Sequence, residues 1–535
     1  MGTCLERNQE KDFLNIINQM LKELDQNLKF SMETLHDMAV SYAKLTEEEQ
    51  QKCLDTLYEI FSEDYDVIMY MFATLLKELK DKKILSYIEK IFLCREYPLW
   101  ERLNDRSQFR IHLFTNLIYN QEYEEYGNLK QIYENFLSEI QEKMNCSYPY
   151  IPLQNRRKKI IIVMSDVISI YHAPTKRLRF IYRCYQNMGY DVTCFVCHLW
   201  GVEGRWDYCS GYTYNCNFMA ETGSFSLFLD GVKIEGFNLI LKAEDYTKML
   251  EKTLGMIWEE KPEFVLEIGN ETILAGLCRP FTTLVTMGCT KSLPVTNAPI
   301  IATAVGHSKK EQKLWEQILE PEQVVLKVRH TVNSLEETED GVVFTKESFG
   351  IPKDAFVVII AGNRLDEEIK DDFLAIMYQI LDLKKTIVIA VIGECPGLKA
   401  RVSENERADR IFFLGMQEQF RKAIAVGDVF LNPPRQGGGT GALFAIMEGV
   451  PVITLDNCDV EANAGEEFVC QSVEEMPALV HQYSSDFVFM EKQKEYCRKH
   501  ASAEKDVNSE ENFRKLNQFV KEYTAKQEEN KNDTF

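Results

Sequence analysis

The sequence predicts an α/β protein in which two domains with parallel sheets follow an all-helical N-terminal segment. Up to about residue 150, apolar residues repeat at helical spacing and glycine occurs only at Gly2 and Gly127. From Lys158 onward, short β-branched runs alternate with helix-length segments, which is typical of parallel sheets covered by helices. We therefore expect four regions: a helical accessory domain at 1–150, α/β domains at 151–325 and 326–485, and a helical segment and tail at 486–535.

Composition and charge indicate an ordinary globular protein that repels polyanions. The chain has 535 residues, of which 45% are hydrophobic and 27% are charged, close to the average for folded domains. Its formal net charge is −22, and its basic patches are short runs such as residues 156–159. Because like charges repel, we expect no binding to nucleic acid or to an anionic lipid surface.

Hydropathy and cysteine usage predict a cytoplasmic chain without a membrane span. No apolar run approaches the roughly 18 residues that a membrane helix needs, and the first residues lack the apolar segment of a signal peptide. The 15 cysteines are odd in number and scattered through apolar segments, which indicates reduced thiols. Cys194 and Cys197 have the spacing of a metal-binding pair, but their apolar surroundings favour a buried strand without metal.

The N-terminal region is predicted to form roughly six or seven helices. Thr46 followed by three glutamates is typical of a helix start. A capping side chain can accept a hydrogen bond from the first amides of a helix, and acidic side chains interact favourably with its positive end. Two apolar stripes at helical spacing support the assignment: Phe13, Ile16, Ile17, Met20 and Leu21, and then Leu54, Leu57, Tyr58 and Phe61. Pro149 and Pro152 mark the end of the region.

The domain at 151–325 is predicted from one strand–helix–strand unit and one further strand. Strands are expected at 160–164, 192–196 and 264–268, because each run is apolar and rich in β-branched residues. A helical pattern from Thr175 to Met188 separates the first two strands. This order indicates a parallel sheet, whose strands are joined through crossover helices.

The domain at 326–485 repeats this alternation more regularly. Strands are expected at 356–361, 386–392, 410–414, 429–431 and 450–455, with helix-length segments between them. The tail from residue 486 is charged and predicted to be helical, with residues 527–535 frayed.

The glycine cluster at residues 430–442 (FLNPPRQGGGTGA) is the most informative segment. A strand enters the cluster, and a helix is expected from about Thr440 to Glu448. Glycines let the backbone approach a ligand closely, and the first amides of a helix carry positive partial charge. Gly437, Gly438, Gly439 and Thr440 are therefore predicted to bind a diphosphate. The alternative is a tight strand–helix turn without a ligand; neither a Walker A loop nor a GxGxxG fingerprint is present.

With residues 361–366 (AGNRLD) after one strand and 413–415 (FLG) before a helix, this segment resembles the C-terminal half of GT-B glycosyltransferases. The resemblance spans roughly 158–485. It implies two Rossmann-like domains that face a cleft, with a nucleotide sugar on the C-terminal domain and the acceptor on the N-terminal one. It also implies that no cofactor and no metal are needed, since a helix dipole and cations act on the diphosphate.

A second likeness concerns the loop after the first strand of the domain at 151–325. Residues 165–166 (SD) and 171–175 (YHAPT) resemble the Ser-Asp and His-Pro-Thr loop of O-GlcNAc transferases and related bacterial protein glucosyltransferases. Those proteins also carry a helical domain ahead of the two GT-B halves. The likeness implies a UDP-sugar donor and a polypeptide acceptor, with a glycan or small-molecule acceptor as the close alternative.

The resemblance implies roles for several single residues. His172 is expected to orient the acceptor or the sugar, or to act as a general base; the alternative is a loop histidine bonded to its own backbone. Arg364 is expected to contact the donor diphosphate and to stabilise it as it leaves; the alternative is a salt bridge to Asp366 or Glu367. Three further positions are expected to bind the nucleotide sugar, namely Gly415, Asp459 and Glu461, although the two acids can also be simply solvated.

One departure from the family pattern bears on stereochemistry. Many retaining GT-B enzymes have a glutamate before the glycine turn and another in the following helix, whereas Gln436 and Phe444 stand at these places here. This favours an inverting enzyme. The sequence therefore predicts a glycosyltransferase that moves a sugar from a UDP-sugar to a polypeptide. The rival hypothesis is a non-catalytic accessory that binds a partner glycosyltransferase through its helical domain.

Overall fold

The computed structural model describes residues 32–79, 81–115, 123–168, 172–198, 221–229, 231–304, 309–330, 343–435, 437–456 and 458–533. The predicted stripe at residues 13–21, Tyr171 and Gln436 lie outside these ranges. The described residues form two compact units, which divide near residue 140. The first is helical and the second contains two sheets. No helix in the described ranges is long and apolar enough to cross a bilayer.

The first unit is helical throughout the residues described. Thr46 caps the second helix through a capping box with Glu49, as the sequence predicted. The predicted stripe lies in that helix, where Leu54, Leu57 and Phe61 are buried. The helices are α1 (Met32–Tyr42), α2 (Glu47–Phe61), α3 (Tyr65–Leu79), α4 (Lys82–Leu93), α5 (Leu99–Thr115) and α6 (Tyr123–Lys143), the last of which contains the division between the units.

The first sheet of the second unit has eight strands in the order 3-4-2-1-5-6-7-8. All neighbours are parallel except β3 and β4, which form an antiparallel pair. The strands are β1 (Lys159–Met164), β2 (Asp191–His198), β3 (Gly223–Leu229), β4 (Val232–Ile240), β5 (Phe264–Ile268), β6 (Leu284–Met287), β7 (Ile300–Thr303) and β8 (Val324–Lys327). Its helices are α7 (Ala173–Asn187), α8 (Tyr246–Glu259), α9 (Ile273–Cys278) and α10 (Lys309–Ile318).

The three strands predicted for this sheet are confirmed, and five others were not predicted. β6, β7 and β8 have only four residues each, too few to show a period of their own. Cys194 and Cys197 are buried within β2, as the sequence indicated. Burial raises the pKa of the Cys197 thiol to about 12, so it is protonated at neutral pH.

The second sheet has six parallel strands in the order 11-10-9-12-13-14. This is the strand order of a Rossmann-like domain, in which the order reverses between β9 and β12. The strands are β9 (Phe356–Ala361), β10 (Ile387–Ile392), β11 (Ile411–Gly415), β12 (Val429–Leu431), β13 (Val452–Leu455) and β14 (Val469–Cys470). The helices are α11 (Leu365–Glu368), α12 (Asp371–Leu383), α13 (Pro396–Ser403), α14 (Phe420–Ile424), α15 (Gly439–Met447), α16 (Asp459–Ala464) and α17 (Met476–Ser485).

Two C-terminal helices, α18 (Phe487–Lys505) and α19 (Ser509–Asp533), complete the unit. The last one packs against the first sheet: Tyr185 Oη donates to Asn517 Oδ1 at 3.0 Å, and Thr283 Oγ1 lies 2.8 Å from Thr524 Oγ1. Two Rossmann-like domains joined by a helix that returns to the first one form the GT-B architecture. The predicted fold class is therefore confirmed.

The predicted fraying of residues 527–535 is wrong for most of that segment. Helix α19 continues to Asp533. Glu528 accepts hydrogen bonds from Tyr150 Oη at 3.0 Å and from the Leu153 backbone N–H at 2.8 Å. These long-range contacts hold the last turns of the helix in place, and sequence composition does not reveal them.

Candidate functional site

The two sheets meet at the carboxyl ends of their strands. Lys291 lies in the loop after β6 and contacts residues that follow β13 of the other sheet. Its backbone N–H donates to Asp459 Oδ1, and its Nζ lies 2.7 Å from Glu461 Oε2. Ligands of open α/β sheets bind where parallel strands end. The cleft between the sheets is therefore the candidate site.

The glycine cluster forms a tight turn between β12 and α15. Gly437 and Gly438 have φ of 87° and 83°, the left-handed region that favours glycine. Helix α15 begins at Gly439, and Thr440 lies in its first turn. The first amides of a helix have no intrahelical acceptor, and they carry the positive end of the helix dipole. The predicted turn and helix are thus present, with the helix one residue earlier than expected.

The same glycines are also required by the packing of the turn. A Cβ atom at Gly438 would lie 2.7 Å from Arg435 Nη2, and one at Gly439 would lie 2.5 Å from Asn463 Nδ2. Larger side chains therefore do not fit, whether or not a ligand is bound. The structure is compatible with both interpretations of the glycine cluster, the anion site and the simple turn.

A network of two arginines and one glutamate lies beside this turn; Arg435 and Glu368 are buried, and Arg364 is partly exposed. Arg435 donates to Asn432 Oδ1 at 2.8 Å, to Glu368 Oε2 at 3.0 Å and to the carbonyl oxygen of Ala361 at 2.8 Å. The other oxygen of Glu368 accepts from Arg364 Nε at 2.9 Å and Nη2 at 2.7 Å. Although burial acts to raise the pKa of Glu368, the two arginines outweigh it and hold this pKa below its usual range.

The partner of Arg364 differs from the two acids that the sequence suggested. A short helix begins at Leu365, so Glu368 stands four residues after Arg364 on the same helical face. Asp366 instead accepts hydrogen bonds from the backbone N–H groups of Gly397 and Leu398 at 3.1 and 2.6 Å. Arg364 therefore forms a salt bridge, as the alternative expected, but its partner is Glu368. The Arg364 guanidinium lies beside the turn, with Nη2 3.3 Å from where a Cβ atom of Gly437 would stand.

His172 stands at the N-cap of α7, after the carboxyl end of β1. Its Nδ1 lies 3.1 Å from Thr175 Oγ1. Burial, opposed by Asp166 and assisted by Arg364, lowers the pKa of His172 to about 4. His172 is therefore neutral at pH 7 and senses the charge of Arg364 from the other sheet, which brings these two predicted residues into the same cleft.

Asp459 and Glu461 are not solvated loop acids. Asp459 is 7% exposed, and its Oδ2 accepts the Gly437 backbone N–H at 2.7 Å while Oδ1 accepts that of Lys291. Burial raises the pKa of Asp459, and the two backbone amides and Arg177 oppose this rise. Glu461 is engaged by Lys291 Nζ. Asp459 thus borders the glycine turn, and Glu461 pairs with the Lys291 ammonium. The contact of both acids with a nucleotide sugar stays a prediction.

Gly415 is the one predicted residue that no described contact joins to this group. It ends β11 with a φ of 67°, and its carbonyl oxygen accepts the Gly393 N–H at 3.0 Å. Strands β10 and β9 lie between β11 and β12, a separation of roughly 14 Å at the usual strand spacing. Only an extended ligand could contact both Gly415 and the glycine turn.

Phe444, which stands where retaining relatives have a glutamate, is 1% exposed and packs against Phe420. Its side chain belongs to the core beneath α15. Among the residues that the structure describes, no cluster of histidine, cysteine and acidic side chains could hold a metal ion.

Four residues of the site were not identified from the sequence: Arg177, Lys291, Glu368 and Arg435. Arg177 lies on α7 and donates to the carbonyl oxygen of Gly288 at 2.6 Å, next to the loop that carries Lys291. Arg435 was visible inside the glycine segment, but its burial depends on Ala361 and Glu368, which are distant in sequence. Motif spacing carries no signal for such contacts.

Comparison with known proteins returns structures of similar fold. No protein-family model and no curated sequence match the chain. A mutant O-GlcNAc transferase of Thermobaculum terrenum is 13% identical, with a TM-score of 0.49, over 98% of this chain and 99% of that one. The pneumococcal O-GlcNAc transferase GtfA, in complex with UDP and GlcNAc, is 10% identical, with a TM-score of 0.44, over 68% and 99%. The catalytic domain of starch synthase IV from Arabidopsis thaliana is 10% identical, with a TM-score of 0.47, over 68% and 99%. O-GlcNAc transferases are thus among the solved structures to which the chain is similar.

Proposed function

We propose that the chain is a glycosyltransferase that binds a UDP-sugar on its second sheet and transfers the sugar to a polypeptide held on its first. One observation carries the proposal: the glycine turn and Arg364 share a cleft with His172 of the opposite sheet. This arrangement would place an anion-binding turn opposite a neutral imidazole, which suits transfer from a nucleotide sugar to a hydroxyl group.

The diphosphate of the donor would lie against the start of α15. The amides of Gly438, Gly439 and Thr440 are at the positive end of the helix dipole, and the Arg364 guanidinium lies beside them. Glu368 fixes the orientation of this guanidinium by accepting from both Nε and Nη2. The network of Arg364, Arg435 and Glu368 carries a net charge of +1 on one side of the turn, while the Asp459 carboxylate accepts the Gly437 N–H on the other.

Transfer would then proceed without a cofactor or a metal ion. The acceptor hydroxyl oxygen forms a bond to the anomeric carbon as the bond from this carbon to the diphosphate oxygen breaks. The electron pair leaves with UDP, whose developing charge Arg364 and the helix dipole stabilise. The proton of the hydroxyl passes to the neutral ring of His172, in which Nε2 is the acceptor when Nδ1 donates to Thr175.

The acceptor and the stereochemistry are the finer parts of this proposal. A polypeptide acceptor is supported by the likeness of residues 165–166 and 171–175 to the loop of O-GlcNAc transferases. Inversion is supported by Phe444, because this buried residue stands where many retaining enzymes have their second glutamate. A cytoplasmic location and a protein partner for the helical unit belong to the same proposal, on the strength of the sequence alone.

The test is incubation of the full chain with a panel of nucleotide sugars and candidate acceptors, followed by mass spectrometry. We expect UDP release and a hexose or N-acetylhexosamine mass increase on a polypeptide, both lost in Arg364→Ala. A mass increase on a glycan or small molecule instead would redirect the acceptor assignment. A chain that binds no UDP and hydrolyses no UDP-sugar would refute the proposal in favour of the non-catalytic accessory.

A further inference from the structure

A buried carboxylate bridges the two sheets at the edge of the candidate site. Asp459 is 7% exposed and begins the short helix α16, which follows β13. Its Oδ2 accepts the Gly437 N–H of the glycine turn at 2.7 Å. Its Oδ1 accepts the backbone N–H of Lys291, which belongs to the first sheet. One side chain thus joins the predicted donor-binding turn to the opposite half of the cleft.

The Lys291 loop is firmly anchored on the first sheet. Near its start, Arg177 of α7 donates to the carbonyl oxygen of Gly288 at 2.6 Å. Towards its end, Thr296 Oγ1 lies 2.8 Å from Thr286 Oγ1, and Thr286 donates to the buried Glu267 at 2.6 Å. These contacts hold the Lys291 loop to the strand ends of this sheet, so the loop is not loose.

Asp459 is equally constrained on the second sheet. The Asn463 side chain donates to the Asp459 carbonyl oxygen at 2.6 Å, and the start of α15 packs closely against both residues. A Cβ atom at Gly439 would lie 2.7 Å from the Asp459 carbonyl oxygen. The carboxylate therefore cannot move far unless the glycine turn moves with it.

We propose that Asp459 is a positioning residue that couples donor binding at the glycine turn to closure of the cleft. This inference rests on the proposed function and deepens it. A nucleoside diphosphate that orders Gly437 also orders the carboxylate bonded to it, and the carboxylate in turn holds the Lys291 amide of the opposite half. Because coupling between two sites is reciprocal, closure through Lys291 also favours UDP binding.

The Lys291 side chain offers a matched control. Lys291→Met removes the ammonium that pairs with Glu461 at 2.7 Å but keeps the backbone N–H that Asp459 accepts. Asp459→Asn keeps the size of the side chain but replaces one acceptor oxygen by an NH₂ group, which faces an N–H donor and cannot accept from it. The two variants therefore separate the backbone bridge from the ion pair.

The experiment is amide hydrogen exchange of the full chain, read by mass spectrometry with and without UDP. In the wild type, UDP should slow exchange both in peptides covering 437–440 and in peptides covering 288–291. In Asp459→Asn the effect on 288–291 should disappear, and the dissociation constant of UDP should rise about tenfold, as expected for loss of a charge-assisted hydrogen bond. In Lys291→Met the effect of UDP on 288–291 should persist.

The wild-type measurement decides the inference even if a variant does not fold. UDP protection at 437–440 with unchanged exchange at 288–291 would overturn the coupling and leave the donor site intact. Loss of the effect in Lys291→Met with its retention in Asp459→Asn would assign the coupling to the ion pair and overturn the role of Asp459. An absence of UDP protection in both segments would refute the proposed function itself.

Discussion

Replacing Arg364 by alanine should remove about half or more of the stabilisation that UDP gives to the wild-type chain. The Arg364 guanidinium lies beside the glycine turn, with Nη2 3.3 Å from where a Cβ atom of Gly437 would stand, and Glu368 holds its Nε and Nη2 in place. Glu368 keeps Arg435 as a partner at 3.0 Å after the substitution, so its buried charge stays compensated. We therefore expect the ligand-free variant to lose only about 1 kcal/mol, because the Arg364 side chain is partly exposed.

The size of the effect follows from ligand linkage. At a UDP concentration of about 100 times the wild-type dissociation constant, binding stabilises the folded chain by about 2.7 kcal/mol. A hydrogen bond to a charged group contributes about 1.5–3 kcal/mol, so its loss weakens binding by a factor of roughly 10–150. At the same UDP concentration the stabilisation then falls to about 1.4 kcal/mol at the low end and to about 0.3 kcal/mol at the high end.

The assay is thermal unfolding with and without UDP, together with calorimetric titration. Arg407→Ala is the matched control, since Arg407 lies in the same half and pairs with Asp382 through Nε at 2.7 Å and Nη2 at 2.9 Å. This control should keep the full effect of UDP. Equal UDP-induced shifts in Arg364→Ala and in the wild type would refute the assignment of Arg364 to the donor site.

Three further predictions concern the turn and two histidines. Gly438→Ala should lower the free energy of unfolding by about 1–3 kcal/mol in denaturant titrations, because the left-handed backbone and the Arg435 guanidinium leave no room for a Cβ atom; an unchanged midpoint would contradict this geometry. His172→Ala should leave the dissociation constant of UDP within about twofold while transfer falls about 10²–10⁴-fold. In a pH–rate profile, the wild-type rate should decline below a pH of about 4, where the imidazole becomes charged. The rate of the variant should not show this decline. His330 is stacked on Phe180, and burial lowers its pKa to about 3. Between about pH 6.5 and pH 3 this histidine is therefore protonated in the unfolded chain and neutral in the folded chain. Stability should therefore fall from about pH 6.5 towards pH 3 by up to about 1.4 kcal/mol per pH unit, and His330→Phe should flatten this dependence; an equal slope in the variant would exclude His330 as its source.

Much of the fold was predictable because its signals are local. The strands Phe264–Ile268, Phe356–Ala361 and Val429–Leu431 have the bounds that the sequence predicts, since each is a buried β-branched run that ends at polar or turn-forming residues. The glycine turn was equally visible, because a left-handed backbone selects glycine at the residue itself. The strands that escaped prediction are very short or belong to the antiparallel hairpin of β3 and β4.

The sequence by itself determined the α/β class and the position of the glycine turn, because these depend on neighbours a few residues away. The roles of His172 and Arg364 are implied by the resemblance and stay predictions. Only the tertiary structure decided which groups meet. Asp459 joins Lys291 across 168 residues of sequence, and Arg435 reaches Glu368 across 67. Such pairs depend on how strands are ordered within a sheet and on how two sheets face each other. Because burial and nearby charges also set the pKa of His172, its fall to about 4 followed from the packed chain and not from its motif.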